Sequence, residues 1–154
     1  MAYVTNRTVP AGALTNVDTE AKYGVGEIVA DENGNQYIYG IGVASCVEGS
    51  WVSLDEEAQA SLLAANAKGR VGIAMGAIVA STWGFFQVYG KSVTALALTG
   101  FADNADCYAT ATAGSVDDAI VAGDRVKGAI GRSAVSGGVI TVELNFPIVD
   151  DMAD

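Results

Sequence analysis

From residue 26 onward, apolar and polar positions mostly alternate, which is the period of a strand whose two faces differ. Residues 26–30 and 36–44 flank Asp31-Glu32-Asn33-Gly34-Asn35. Asn-Gly between apolar runs predicts a hairpin, because both central turn residues need φ > 0. In residues 83–89, Trp83, Phe85, Gln87 and Tyr89 alternate with Phe86 and Val88, so large groups face both ways. That pattern predicts a strand buried on both sides. Residues 71–80 pair with it in a hairpin about Ser81-Thr82. Residues 92–99, 106–113, 120–122 and 126–135 are further strands, and Ser136-Gly137-Gly138 is a turn. A last strand, 139–146, has Ile140, Val142, Leu144 and Phe146 on one face and ends at Pro147.

One stretch breaks the period. Ser53 and Glu56 have capping-box spacing, and Asp55, Glu56 and Glu57 occupy a first turn, where the helix dipole favours acids. Ala58, Leu62, Leu63 and Ala65 supply an apolar stripe, and Gly69 ends it. A short helix over about 53–68 is expected. Residues 1–24 are polar, with Pro10 and Gly12, and predict an extended N-terminal arm without core residues. Residues 25–154 form a single β-rich domain. The fold class is therefore mainly β, a barrel- or sandwich-like domain with one short helix and an N-terminal arm.

Composition narrows the chemistry. The 154 residues carry 18 acids against 8 bases, for a net charge of −10. Nucleic acid and anionic membrane surfaces are excluded as partners, since both are bound through Lys and Arg. With no histidine, Ser-His-Asp and Cys-His catalysis and His-ligated metals are excluded. Residues 71–90 carry no charge and are long enough to span a bilayer as a helix. Gly72, Gly76 and Gly84 interrupt them, so a buried hairpin is the reading. The N-terminus lacks the basic start and apolar run of a signal peptide, and synthesis in a cytoplasm is expected. Cys46 and Cys107 suit buried apolar filling, with a disulfide between them left open.

The remaining candidate sites are weak. Asp31, Asn33 and Asn35 alternate like a calcium loop, but Gln36 and Gly42 stand where Gly and Glu are required. Asp117-Asp118 reads as a solvated turn rather than a catalytic pair. No catalytic, metal or cofactor-binding residues are assigned, and no enzyme activity is expected. A carboxylate-based hydrolase is the least favoured alternative.

Two stretches carry a resemblance. Trp83-Gly84-Phe85-Phe86-Gln87-Val88-Tyr89-Gly90 and Ala122-Gly123-Asp124-Arg125-Val126-Lys127-Gly128-Ala129 resemble the head decoration, or cement, proteins of tailed phages. The resemblance extends over the C-terminal two-thirds of the chain. It implies a non-enzymatic virion protein on the outer capsid surface, made in the host cytoplasm. Its partners would be the major capsid protein and itself, as a homotrimer, and it would brace the shell against packaged DNA. The residues expected at the trimer or capsid interface are Tyr3, Val4, Trp83, Phe85, Phe86 and Tyr89. The alternative is a small-molecule- or glycan-binding β domain, a head-fibre-like module, using Tyr37, Tyr39 and Trp51 as an exposed platform.

Overall fold

A computed structural model describes residues 7–152. Among them lie eleven strands: β1 (Arg7–Thr8), β2 (Ile28–Ala30), β3 (Gln36–Ile41), β4 (Trp51–Leu54), β5 (Ala60–Leu62), β6 (Gly69–Ala74), β7 (Trp83–Leu96), β8 (Asp106–Ala109), β9 (Val116–Asp117), β10 (Arg125–Gly131) and β11 (Val139–Val149). They form one sheet in the order β1-β2-β3-β7-β6-β11-β10-β8-β9, with β5 and β4 branching from β6. Every pairing between these strands is antiparallel except the short β1–β2 pair. The path is open, with β1 at one end and β9 at the other, so the sheet is mainly β and sandwich-like rather than a closed barrel.

The sheet folds over three apolar clusters. The first joins Trp51, Leu63, Val71 and Ile73 to Cys107, Val126, Ile140, Val142 and Leu144. The second joins Ile38, Val52, Leu54, Ala74, Phe86 and Val88. The third joins Val9, Leu14, Val29, Tyr37, Tyr39 and Phe85. Along β6, Val71 and Ile73 enter the first cluster while Ala74 enters the second, so this strand is buried on both faces. In β11, by contrast, Ile140, Val142 and Leu144 are buried while Glu143 and Asn145 are exposed. This is the one-sided alternation that fixes register.

The turns at 31–35 and 136–138 lie where expected, whereas the hairpin about Ser81-Thr82 is a longer connection over residues 75–82, because β6 ends at Ala74. β2 and β3 pair with Val29 opposite Tyr37 across residues 31–35, and β10 and β11 are linked through Gly137 and Gly138, both at positive φ.

Several expectations are corrected. No helix occupies 53–68, and the helical structure among the described residues is one 3-10 turn, Ala11–Ala13. Instead, Asp55 Oδ1 accepts the backbone N–H of Glu57 and Gln59, at 3.0 and 2.9 Å, and turns β4 back into β5. The side-chain distribution explains why a strand wins. Leu63 enters the first cluster and Leu62 packs on the second. Consecutive residues on opposite faces suit an extended chain and not a single helical stripe.

The arm is likewise no bare extension from residue 7 onward. The Val9 N–H donates to the Ala30 carbonyl, and Val9 and Leu14 are core residues. Asp18 and Trp83 exchange both backbone hydrogen bonds. Residues 120–122 form no strand. β11 does not stop at Pro147: between Lys127↔Ile148 and Ala129↔Leu144, residues 145–147 face Gly128 alone, and this bulge spares Pro147 a ladder bond. Residues 92–96 continue β7 rather than starting a new strand. Residues 71–90 divide between β6, a connection and β7, and no helix among the described residues is long and apolar enough to cross a membrane.

Candidate functional site

The most irregular backbone lies where β6, β7 and β11 meet. Along one edge, β7 pairs with β6 at Phe86 and Gln87, then with β11 from Tyr89 to Leu96. β6 also pairs with the end of β11, at Gly69 and Arg70. The shorter strand thus fills the space where the two long ones diverge. On its other edge, β7 spends an extra residue. Tyr37 faces Gln87 and Gln36 faces Tyr89, leaving Val88 as a bulge. A bulge re-aims side chains. Here Val88 is buried in the second cluster, and its neighbour Tyr89 reaches the surface.

Polar side chains hold this kink. Gln87 is buried, and its Nε2 donates to the carbonyls of Tyr89 and Lys91, at 3.2 and 3.1 Å. Asn35 Oδ1 accepts the Lys91 N–H. Gly90 sits at φ +97° between them, and a Cβ there would collide with Asn35.

On β11 the same junction carries Phe146 at φ +44°, a conformation that is an outlier for a bulky residue. Its ring lies 5.4 Å from that of Tyr89. Phe146 and Ile148 are each 45 % exposed and Tyr89 38 %. Arg70, Phe146 and Ile148 border a groove of about 120 Å³ whose buried lining is Ile38, Val71, Val88 and Pro147. Ile28, the cross-strand partner of Ile38, is also exposed.

Arg70 lines this groove, and Arg70 and Lys127 are the two register partners of Ile148; Lys91 lies outside the lining, with Glu143 as its register partner. Lys127 pairs with Asp150 at 3.0 Å. Arg70 donates to the Asp55 carbonyl, and neither it nor Lys91 forms an ion pair among the described residues.

The residues expected at an interface separate. Phe85 and Phe86 are 1 % and 0 % exposed, in different clusters, and offer no surface to a partner. Trp83 is half-buried and packs on the third cluster. Tyr89 alone of the four is exposed, and Tyr3 and Val4 lie outside the described residues. Phe146 was hidden from sequence reading because strict alternation places it with Ile140, Val142 and Leu144. Pro147 beside it was the available signal of a bulge.

The expected aromatic platform is corrected too. Tyr37, Tyr39 and Trp51 are all buried. Tyr37 donates to Asp31 Oδ2 at 2.9 Å, Tyr39 to Asp18 Oδ2 at 2.7 Å, and Trp51 Nε1 to the Leu96 carbonyl at 3.0 Å. Burial pushes the Tyr39 hydroxyl up to about 12. Lys22 Nζ lies 2.9 Å from Asp18 Oδ1 and balances that carboxylate.

Asp31 does not present its oxygens outward. Oδ1 accepts the N–H of Asn33 and Asn35, and Oδ2 accepts the Asn35 amide and the Tyr37 hydroxyl. Burial alone would raise this carboxyl, but those hydrogen bonds outweigh it and leave it below the usual range. Among the described residues, no three His, Cys, Asp or Glu side chains are grouped to hold a metal.

Asp117 and Asp118 also serve the backbone, accepting the N–H of Asp118 and Ala102. Cys46 and Cys107 are free thiols in separate clusters, and burial, helped by Asp106, pushes Cys107 up to about 12.

A second surface lies on the β9–β10 connection. Ile120 is 84 % exposed, the most open of the large apolar side chains among the described residues, with Val121 beside it at 46 %. Behind them is a hollow of about 270 Å³ lined by Ala65, Leu98, Ala109 and Val121, with Asp117 and Asp124 at it. Asp124 is buried and accepts the Asn66 N–H at 2.7 Å.

No family model matches the chain, and no curated protein or solved structure matches it either.

Proposed function

We propose that the chain is a structural virion protein that decorates the outer surface of a tailed-phage head as a trimer. In this reading it binds the major capsid protein and stiffens the shell against internal DNA. The observation that supports it best is the apolar groove at the β6–β7–β11 junction, bordered by the exposed Phe146 and Ile148. Exposed apolar side chains around a groove are what a protein-docking surface offers. Val88 of the resembling stretch 83–90 lines that groove. Attachment of three subunits together raises the effective concentration of each contact, so individually weak contacts give lasting occupancy. The charge of −10 keeps free subunits off packaged or host DNA.

Co-sedimentation with expanded heads that lack the protein tests the proposal. Saturable binding at a fixed number of copies per head is expected, together with a higher temperature of head disruption. Heads that bind none of the protein overturn it.

A further inference from the structure

We propose that Asn33 is a modification site, which converts spontaneously to isoaspartate through attack by the Gly34 backbone nitrogen. The longer backbone that results unlocks the turn over residues 31–35 and, through Asn35, loosens the kink at Gly90.

The chain has seven asparagines, and only Asn33 is followed by glycine. A side chain on the following residue crowds the approach of its nitrogen to the amide carbon, and glycine has none. Asn33 is exposed. A Cβ placed on Gly34 would meet nothing within 4 Å, so the approach is also open to water.

The two asparagines of the turn are held differently. Asn35 Nδ2 donates to Asp31 Oδ2 at 2.9 Å, and Asn35 Oδ1 accepts the Lys91 N–H at 3.2 Å. Asn33 is held by its backbone, whose N–H donates to Asp31 Oδ1 at 2.8 Å. Its side-chain amide has no hydrogen-bond partner among the described residues, so it is free to swing toward the next nitrogen. That nitrogen is the loosest donor of the turn: the Gly34 N–H reaches the Asp31 carbonyl at 3.3 Å, against 2.8–3.0 Å for the others.

The chemistry needs water alone. The Gly34 nitrogen gives up its proton and bonds to Asn33 Cγ, the Cγ–Nδ2 bond breaks, and ammonia leaves carrying that proton. Water then opens the succinimide ring. Cleavage at the side-chain carbonyl gives aspartate. Cleavage at the backbone carbonyl routes the chain through the side chain and gives isoaspartate, with a free α-carboxylate.

The added backbone carbon falls inside the bonds that define the turn. Asp31 Oδ1 accepts the N–H of Asn33 and Asn35 together, and a longer chain between those two donors spoils the shared geometry. The new carboxylate follows Glu32 and lies two residues from Asp31, so like charges oppose closure. Asn35 carries the effect to β7. Its Oδ1 accepts the Lys91 N–H and lies so close to Gly90 that a Cβ there would collide with it.

Ageing the purified full chain at body temperature and mildly alkaline pH, followed by peptide mapping, tests the site. Isoaspartate is expected at Asn33, forming at least about tenfold faster than at any other asparagine, and absent from Asn33→Ser. Isoaspartate is the signature of the ring, since direct hydrolysis of the amide gives only aspartate. An Asn33 that stays intact in the folded chain, converts only in urea, or yields aspartate alone overturns the site. Hydrogen exchange tests the unlocking. The aged fraction, separated by its extra negative charge, should exchange the Asn35 and Lys91 amides at least about tenfold faster than fresh protein. Asn33→Asp adds the same charge without the extra carbon and should exchange like the wild type. Unchanged protection in the aged fraction, or an equal loss in Asn33→Asp, overturns the unlocking.

Discussion

The run Trp83–Gly90 shows how differently two parts of one strand can be used. Its first part is closed in. Phe85 packs with Tyr37 and Tyr39 in the third cluster, and Phe86 packs with Ile38 and Val52 in the second. Its last part is open: Val88 bulges, Tyr89 turns outward, and the ring meets Phe146. The residues are chemically alike, and the difference is one extra position in the ladder. Aromatic side chains held by sheet on both faces stabilise the fold, whereas Tyr89, past the bulge, remains exposed.

The sharpest way to break this contrast is to truncate both parts. Phe86→Ala is expected to cost about 3–5 kcal/mol in urea unfolding, because it empties a fully buried site. Tyr89→Ala should cost about 1 kcal/mol or less, since little beyond its contact with Phe146 is lost. Equal costs would mean that the bulge does not divide the strand.

Leu14→Ala extends the contrast to the N-terminal segment. Leu14 is 3 % exposed against the same cluster as Phe85. A loss of about 2–5 kcal/mol is expected. A loss near zero would restore residues 7–18 to the status of a dispensable arm.

Asp31→Asn probes the polar support of the closed side. Losing the charge that four donors share should cost about 1–3 kcal/mol at neutral pH. The carboxyl is held below its ordinary value in the folded state, so it adds stability above the unfolded value of about 3.9. That contribution is lost as pH falls through the lower, folded value. The gap between wild type and Asp31→Asn should therefore be constant above about pH 5 and shrink in acid. A gap that stays constant down to strongly acidic pH would contradict the shift.

The smallest effect on folding is expected from Phe146→Gly. Glycine relieves the positive φ and loses the Tyr89 contact, and the two changes offset to within about 1 kcal/mol. A large loss of stability would place Phe146 with the core and dissolve the contrast.

Much of the sheet was legible because its positions repeat every two residues. The Asn33-Gly34 hairpin, the Gly137-Gly138 turn and the buried face of β11 all follow from that period and from turn chemistry. The misread elements were ones where a local signal had two solutions. Asp55 serves a helix start and a β turn equally well, and only the opposite destinations of Leu62 and Leu63 select the turn. Residues 7–18 look polar, yet two apolar side chains, Val9 and Leu14, suffice to anchor them once β2, β3 and β7 supply a cluster. Of the apolar side chains exposed at the β6–β7–β11 junction, sequence reading singled out Tyr89 and not Phe146 or Ile148, because a bulge around Pro147 breaks the alternation by which faces are assigned.

The amino-acid sequence by itself determined a mainly β fold, its principal turns, a chain with no histidine chemistry, and a net charge of −10. These depend on composition and on neighbours along the chain. Only the tertiary structure decided which aromatic residues are core and which remain exposed, where β6 enters between β7 and β11, and that Arg70 lines an apolar groove with Phe146 and Ile148. Those outcomes depend on register between strands far apart in sequence. A shift of one residue there changes which face a side chain occupies.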